Sequence, residues 1–316
     1  MRTDGKGGGR PGRRPVLWAV GGGKGGAGKS LIASNLGILL SRAGRRVLLV
    51  DVDLGAANLH TLVGETESHM PLSSFIKGEV NDLSEVISAT GMPNLDLVSG
   101  SMDSMDAANL NGTRVAHLRD SLEKTDHDYV LMDLGPGTSN NTLDFFLLAD
   151  RGILVVTPEP TAVENTYRFI KCLLLRLMKQ AQEAREGGKL KDILKRIFYE
   201  SEMSKNLTIA ALLDEIREHD RDSWRMLKEL MERTRLSVVI NQARRPEDNT
   251  LGYSVRRACL DFFDVEVDIL GHIPFSEKVW ESTRLRRPLT VEYADTEPAV
   301  QLSSVLDEAL VKDAAR

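Results

Sequence analysis

The sequence predicts an α/β fold, a mostly parallel central sheet flanked by helices, with a helical insertion. Three observations lead there. Short apolar runs recur along the chain with helical stretches between them. A glycine-rich loop at residues 23–30 separates the first such run from the first helical stretch. Asp51, Asp133 and Asn241 close three of the runs, and in open parallel sheets ligands lie beyond the carboxyl ends of the strands.

The elements follow in order. Residues 16–20 read as the first strand, and 31–40 have the spacing of a helix. After a turn at Gly44, residues 46–51 form the second strand. Further strands are predicted at 95–98, 129–133, 152–157, 236–241 and 267–271. Their apolar character implies burial on both faces. Between about 178 and 235 the pattern changes. Leu190, Ile193, Leu194, Ile197 and Phe198 follow helical spacing, as do Leu212, Leu213 and Ile216, then Trp224, Leu227 and Met231. Two or three amphipathic helices are expected there, inserted into one domain spanning 16–316. They serve as a cover for the core or as a docking surface.

Composition narrows the function. At 316 residues the chain is long enough to bury a large core. A net charge of −5 argues against a strong polyanion binder. Aromatic residues make up 5% of the chain, too few for stacking platforms on single-stranded nucleic acid. Cys172 and Cys259 stand far apart and form no C-x-x-C, which points to core thiols in a reducing cytoplasm. No run of about eighteen apolar residues is present to cross a membrane. Residues 1–15 carry five basic side chains and one acid among many Gly and Pro. They read as a disordered basic tail without a signal peptide's apolar segment.

The chemistry starts at Gly23-Lys24-Gly25-Gly26-Ala27-Gly28-Lys29-Ser30, a G-x-x-x-x-G-K-[ST] phosphate loop. Its glycines let several N–H groups converge on one anion, and the next helix adds the positive end of its dipole. Lys29 is expected on the β- and γ-phosphates, and the Ser30 hydroxyl on Mg²⁺. Asp51 and Asp53 follow the second strand, and Asp133 closes the fourth. An aspartate at a strand end also caps turns, so a structural role stands beside a metal-binding one.

The run from Lys24 to Lys29 resembles the deviant Walker A loop of the MinD/ParA ATPase family. The resemblance implies ATP and Mg²⁺ as cofactors and an ATP-dependent homodimer, in which Lys24 crosses to the partner's nucleotide. It makes Asp51-Val52-Asp53 the first switch, with Asp53 positioning the attacking water and Asp51 behind the waters of Mg²⁺. Asn58 matches the Asn-Leu that follows this switch. Asp133-Leu134-Gly135-Pro136-Gly137 resembles the second switch of the FlhG/FleN branch, with Asp133 holding Mg²⁺ through water. Residues 155–162 resemble the V-T-P-E-P-T-A run of MinD and FlhG relatives. Asn241 matches an adenine-contacting Asn, and Pro274 lies in a G-x-I-P segment beside the base. Leu31 stands where Thr is frequent, which leaves the metal to Ser30. Ala27 replaces Val or Ile, and Glu277 an expected Asp. The resemblance covers about 16–178 and 236–295.

At 297–316, Val300, Leu302, Val305, Leu306 and Leu310 have helical spacing, with Asp307, Glu308 and Asp313 on the polar side. Lipid-surface helices favour basic polar faces, so this helix is expected in the core and membrane association weak or absent. Arg244-Arg245, Arg256-Arg257, Arg284 and Arg286-Arg287 are the candidate contacts to DNA phosphates, against the chain's net acidity. The reading is a Mg-ATP-dependent dimerising switch ATPase that controls the placement or number of a cellular structure. A protein partner would stimulate hydrolysis, and the protein would be cytoplasmic or peripheral at the membrane or cell pole. The alternatives are a ParA-like DNA segregation ATPase and a nucleotide-bound nonenzymatic adaptor.

Overall fold

The structure, a computed structural model, describes residues 13–53, 58–65, 70–100, 112–183, 192 and 209–315. Its strands are β1 (Val16–Gly21), β2 (Val47–Asp51), β3 (Ser88–Ala89), β4 (Leu95–Val98), β5 (Tyr129–Asp133), β6 (Arg151–Val156), β7 (Arg235–Ala243) and β8 (Asp268–Pro274). They form one sheet in the order β3-β4-β2-β5-β1-β6-β7-β8. Every neighbouring pair is parallel except β3–β4. The edge strand β3 is absent from the sequence-based expectation. Its two residues carry no alternation, and it exists only by pairing Ser88 and Ala89 with Leu97 and Asp96.

Alternation splits the strands between two cores. Leu17 and Ala19 of β1 face one side with Leu48, Val130 and Leu154. On that side they meet α4 (Gly112–Glu123), α5 (Asn140–Leu148), α6 (Pro160–Glu183), α7 (Ile209–His219), α8 (Arg221–Arg233) and α9 (Leu251–Phe263). Trp18 and Val20 face the other side with Leu49, Leu131 and Ile153. There they pack on α1 (Lys29–Arg42) and the last helix (Glu297–Ala314). Of the insertion, Leu212, Leu213, Ile216 and Leu227 are buried in the first core. Leu190, Ile193, Leu194, Ile197 and Phe198 lie outside the described residues, as does most of the N-terminal tail. Where the tail is described, the Arg14 guanidinium donates to both Asp150 oxygens at 3.1 and 2.8 Å.

The last helix turns its apolar face inward, with Leu302, Val305 and Leu306 buried. Its far end is fixed by charge. Arg151 has no exposed surface. Its guanidinium donates to Asp313 at 2.6 Å, to Asp268 at 3.3 Å and to the Ala309 carbonyl at 3.4 Å. Trp18 Nε1 donates to the same Asp313 at 3.1 Å. A buried guanidinium needs such partners, because burying a lone charge is costly. Among the described residues no helix is long and apolar enough to cross a membrane.

Candidate functional site

β1 delivers the glycine-rich loop at the carboxyl edge of the sheet, and α1 begins at Lys29. Gly28 adopts φ 93°, where a side chain would be strained, and its Cβ would lie 2.2 Å from Asn241 Nδ2. The loop is held from across the sheet. Asn241 Nδ2 donates to the Ala27 carbonyl at 2.7 Å, and Gln242 Nε2 donates to the Gly26 carbonyl at 3.1 Å. Gln242 reaches it from a left-handed backbone, φ 61°, at a break in the β7–β8 register. Bulges of this kind re-aim side chains beside sites.

The two loop lysines sit in different surroundings. Lys29 is buried. Burial lowers its pKa, while the Asp133 and Asp53 charges act to raise it. Its Nζ donates to the Lys24 carbonyl at 3.4 Å. Lys24, at the loop tip, is about one-third exposed and ion-pairs with Glu159 of the run at 155–162. That partner was not foreseen: the residues are 135 positions apart, and neither spacing nor charge pattern joins them.

β2 and β5 are adjacent, and their register sets Asp51 opposite Asp133. Both carboxylates are buried. The Asp133 carboxyl is pushed up to about 8, first by burial and then by the Asp51 charge; the Ser30 hydroxyl and the Lys29 charge oppose this. Its Oδ1 is buried and has no hydrogen-bond partner. An orphaned hard oxygen beside a hydroxyl and a phosphate loop fits Mg²⁺, which keeps several waters and takes few protein ligands. Among the described residues no group of three or more His, Cys, Asp or Glu is placed to hold a metal. Asp51 is raised to about 6 by burial, but its oxygens are engaged. Oδ1 accepts from Asp53 N at 3.1 Å, and Oδ2 accepts from Asn58 N and Leu59 N at 3.0 Å each. Asp53 lies against Gly135, where an added Cβ would come 3.0 Å from Asp53 Oδ1. The structure thus gathers Lys29, Ser30, Asp51, Asp53 and Asp133 at one edge.

Beside Gly28 opens a cavity of about 760 Å³. Leu31, Asn241 and Pro274, all expected at the site, line it together with Leu62, Phe275 and Trp280. A carbonyl only accepts, so the bond to Ala27 turns the Asn241 nitrogen toward the loop and leaves the amide oxygen to offer to a ligand. Trp280 is 64% exposed and Phe275 46%. Both carry a guanidinium over the ring, from Arg284 at 5.1 Å and from Arg244 at 3.7 Å. Trp280 is a wall that sequence reasoning missed, since only the G-x-I-P segment marked this corner. Ser276 caps the helix at Glu277–Leu285, accepting from Lys278 N at 3.2 Å.

The chain is similar to several known proteins. The chain is 32% identical over 157 residues to the antiactivator FleN of Pseudomonas aeruginosa, covering 49% of this chain and 55% of that protein. It is 32% identical over 155 residues to the flagellum site-determining protein YlxH of Helicobacter pylori, covering 48% and 52%. It therefore spans about half the length of these two curated relatives. To the septum site-determining protein MinD of Synechocystis sp. it is 30% identical over 195 residues, covering 61% of this chain and 69% of that one. The solved structure of MinD complexed with Mg-ADP from Pyrococcus horikoshii superposes with a TM-score of 0.63 at 22% identity, covering 93% of this chain and 96% of that chain, and so shows the same fold. The sequence pattern of the CobQ/CobB/MinD/ParA nucleotide binding domain matches residues 18–289, and the chain belongs to that family.

Proposed function

We propose that this protein is a Mg²⁺- and ATP-dependent switch ATPase that dimerises on its nucleotide and controls the placement or number of a cellular structure. The observation that carries the reading is the division of labour between two lysines of one loop. Lys29 is buried near Asp133 and Asp53, whereas Lys24, at the loop tip, is about one-third exposed and paired with Glu159. Lys29 would meet the β- and γ-phosphates. Ser30, and Asp133 through water, would hold Mg²⁺, whose charge offsets that of the phosphates. Asp53 would orient the attacking water. Lys24 is left to reach a nucleotide bound by a second copy. The Asn241 oxygen, an acceptor, favours a base with an exocyclic amine, as adenine has, over one with a carbonyl in that place.

Dimerisation with ATP and release after hydrolysis would make the assembly a switch. Similarity to the flagellum site-determining protein YlxH, beside that to the antiactivator FleN, favours a flagellar or other polar structure as the thing controlled. A protein partner would stimulate turnover, and the protein would act in the cytoplasm or at the membrane surface near a pole.

Light scattering with a nonhydrolysable ATP analogue, together with phosphate release, tests the reading. Lys29→Ala is expected to abolish nucleotide binding. Asp53→Ala should keep the ATP dimer and stop turnover. Lys24→Ala should lose both dimer and turnover; full activity in that variant would overturn the proposal.

A further inference from the structure

Two buried aspartates face each other across β2 and β5, and their oxygens are used in opposite ways. Asp133 keeps Oδ1 without any partner. Asp51 gives Oδ1 to one backbone N–H and Oδ2 to two more. A carboxylate oxygen has about two lone-pair directions, so Asp51 Oδ2 is filled by Asn58 N and Leu59 N. One of the three donors lies within the first switch and two lie beyond it. One is the amide of Asp53 itself, and another opens the short helix at Leu59–Leu62. Bonds from N–H to an ionised carboxylate are among the stronger ones, and here they form away from bulk water.

We propose that Asp51 serves the reaction through the backbone rather than through the metal. It is a positioning residue that ties the main chain at Asp53 to that at Asn58 and Leu59, and so aims the Asp53 carboxylate at the phosphate loop and Gly135. This rests on the nucleotide-site reading above and departs from the metal role that the family resemblance suggests for Asp51. The work at the metal falls to Asp133 and Ser30. The register supports the division, since Val52 N donates to the Asp133 carbonyl at 3.0 Å. The backbone after Asp51 is therefore tied to β5 on one side and to the Asp51 carboxylate on the other.

Asp51→Asn tests this with little change of shape. The carboxamide keeps one accepting oxygen and sets an NH₂ against backbone donors. Hydrogen exchange is read on the protein without nucleotide or metal. The amides of Asp53, Asn58 and Leu59 should exchange about tenfold faster or more, as expected for a lost charge-assisted bond. Unchanged exchange at all three would overturn the proposal. In ATP turnover, Asp51→Asn should lower kcat by about tenfold or more while the Mg²⁺ half-saturation stays within about twofold. A Mg²⁺ half-saturation raised about tenfold, with kcat restored at high Mg²⁺, would make Asp51 a metal residue and overturn it. Asp133→Asn should give the reverse pattern: native exchange at the three amides and a weakened Mg²⁺ response. If the wild-type protein hydrolysed no ATP, the proposed function would fail while the exchange measurement still decided the role of Asp51.

Discussion

Lys24 is ion-paired with Glu159 of its own chain, from the loop tip to the segment after β6. The pair is partly open to water, with the Glu159 side chain 54% exposed. Exposed pairs contribute about 0.2–1 kcal/mol, so the contact restrains the lysine without trapping it. Two such pairs open per dimer, so Glu159→Gln is expected to change the ATP-dependent dimer affinity by no more than about thirtyfold. Lys24→Ala should remove the dimer. Sedimentation equilibrium with a nonhydrolysable analogue checks both.

Gly135 leaves room for the Asp53 carboxylate, and an added Cβ would sit 3.0 Å from Oδ1 and 3.1 Å from Cγ. Gly135→Ala should displace Asp53 and lower kcat by about tenfold or more, while nucleotide affinity changes by less than about threefold. Single-turnover phosphate release set beside equilibrium binding separates the two quantities.

The cavity beside Gly28 yields an optical prediction. Of the three tryptophans, Trp18 is fully buried and Trp280 lines the cavity. ATP should shift or quench Trp280 emission, and Trp280→Phe should remove that signal while binding persists. Asn241→Leu should erase the preference for ATP over GTP and weaken both, because the Ala27 carbonyl loses its donor as well.

The buried carboxylate predicts a pH dependence. Asp133 is raised from 3.8 to about 8 in the metal-free fold. Between those values the folded protein holds a proton that the unfolded chain releases, so metal-free stability falls as pH rises from about 4 to about 8. Metal binding needs the ionised form, so Mg²⁺ affinity should rise through the upper part of this window and level off above it. Asp51, raised to about 6, adds to the lower part of the stability slope. Asp133→Asn should flatten the slope between pH 6 and 8 and raise the metal-free melting temperature at pH 8. Thermal unfolding across pH, without metal, is the measurement.

The sheet was legible because buried parallel strands are written as apolar runs, and residues 95–98 and 129–133 match β4 and β5 residue for residue. The phosphate loop and the aspartates closing β2 and β5 were legible because their chemistry is local. What the sequence hid depends on partners brought from far away. Arg151 reads as a polar residue before a strand starting at 152. It belongs to β6 because Asp268 and Asp313, 117 and 162 positions on, neutralise it. Asn241 was expected at the base. It lines the cavity beside Gly28, and its bond to Ala27 from 214 residues away leaves no mark in spacing. Trp280 was overlooked because a single aromatic within a charged helix reads as surface.

The clasp of Arg151 by Asp313 has a consequence for how this molecule can signal. The final helix is riveted through the interior at the amino edge of the sheet, opposite the nucleotide cleft. Swinging it outward would take Asp313 and the Ala309 carbonyl from Arg151 and leave the guanidinium to Asp268 and Ser237, and breaking one side of a buried ion pair costs about 3–5 kcal/mol, comparable to what binding a ligand at a hundred to a thousand times its Kd supplies. In the proposed function this leaves the segments after β2 and β5 as the parts to carry a change away from the phosphates, with the terminal helix as the fixed frame.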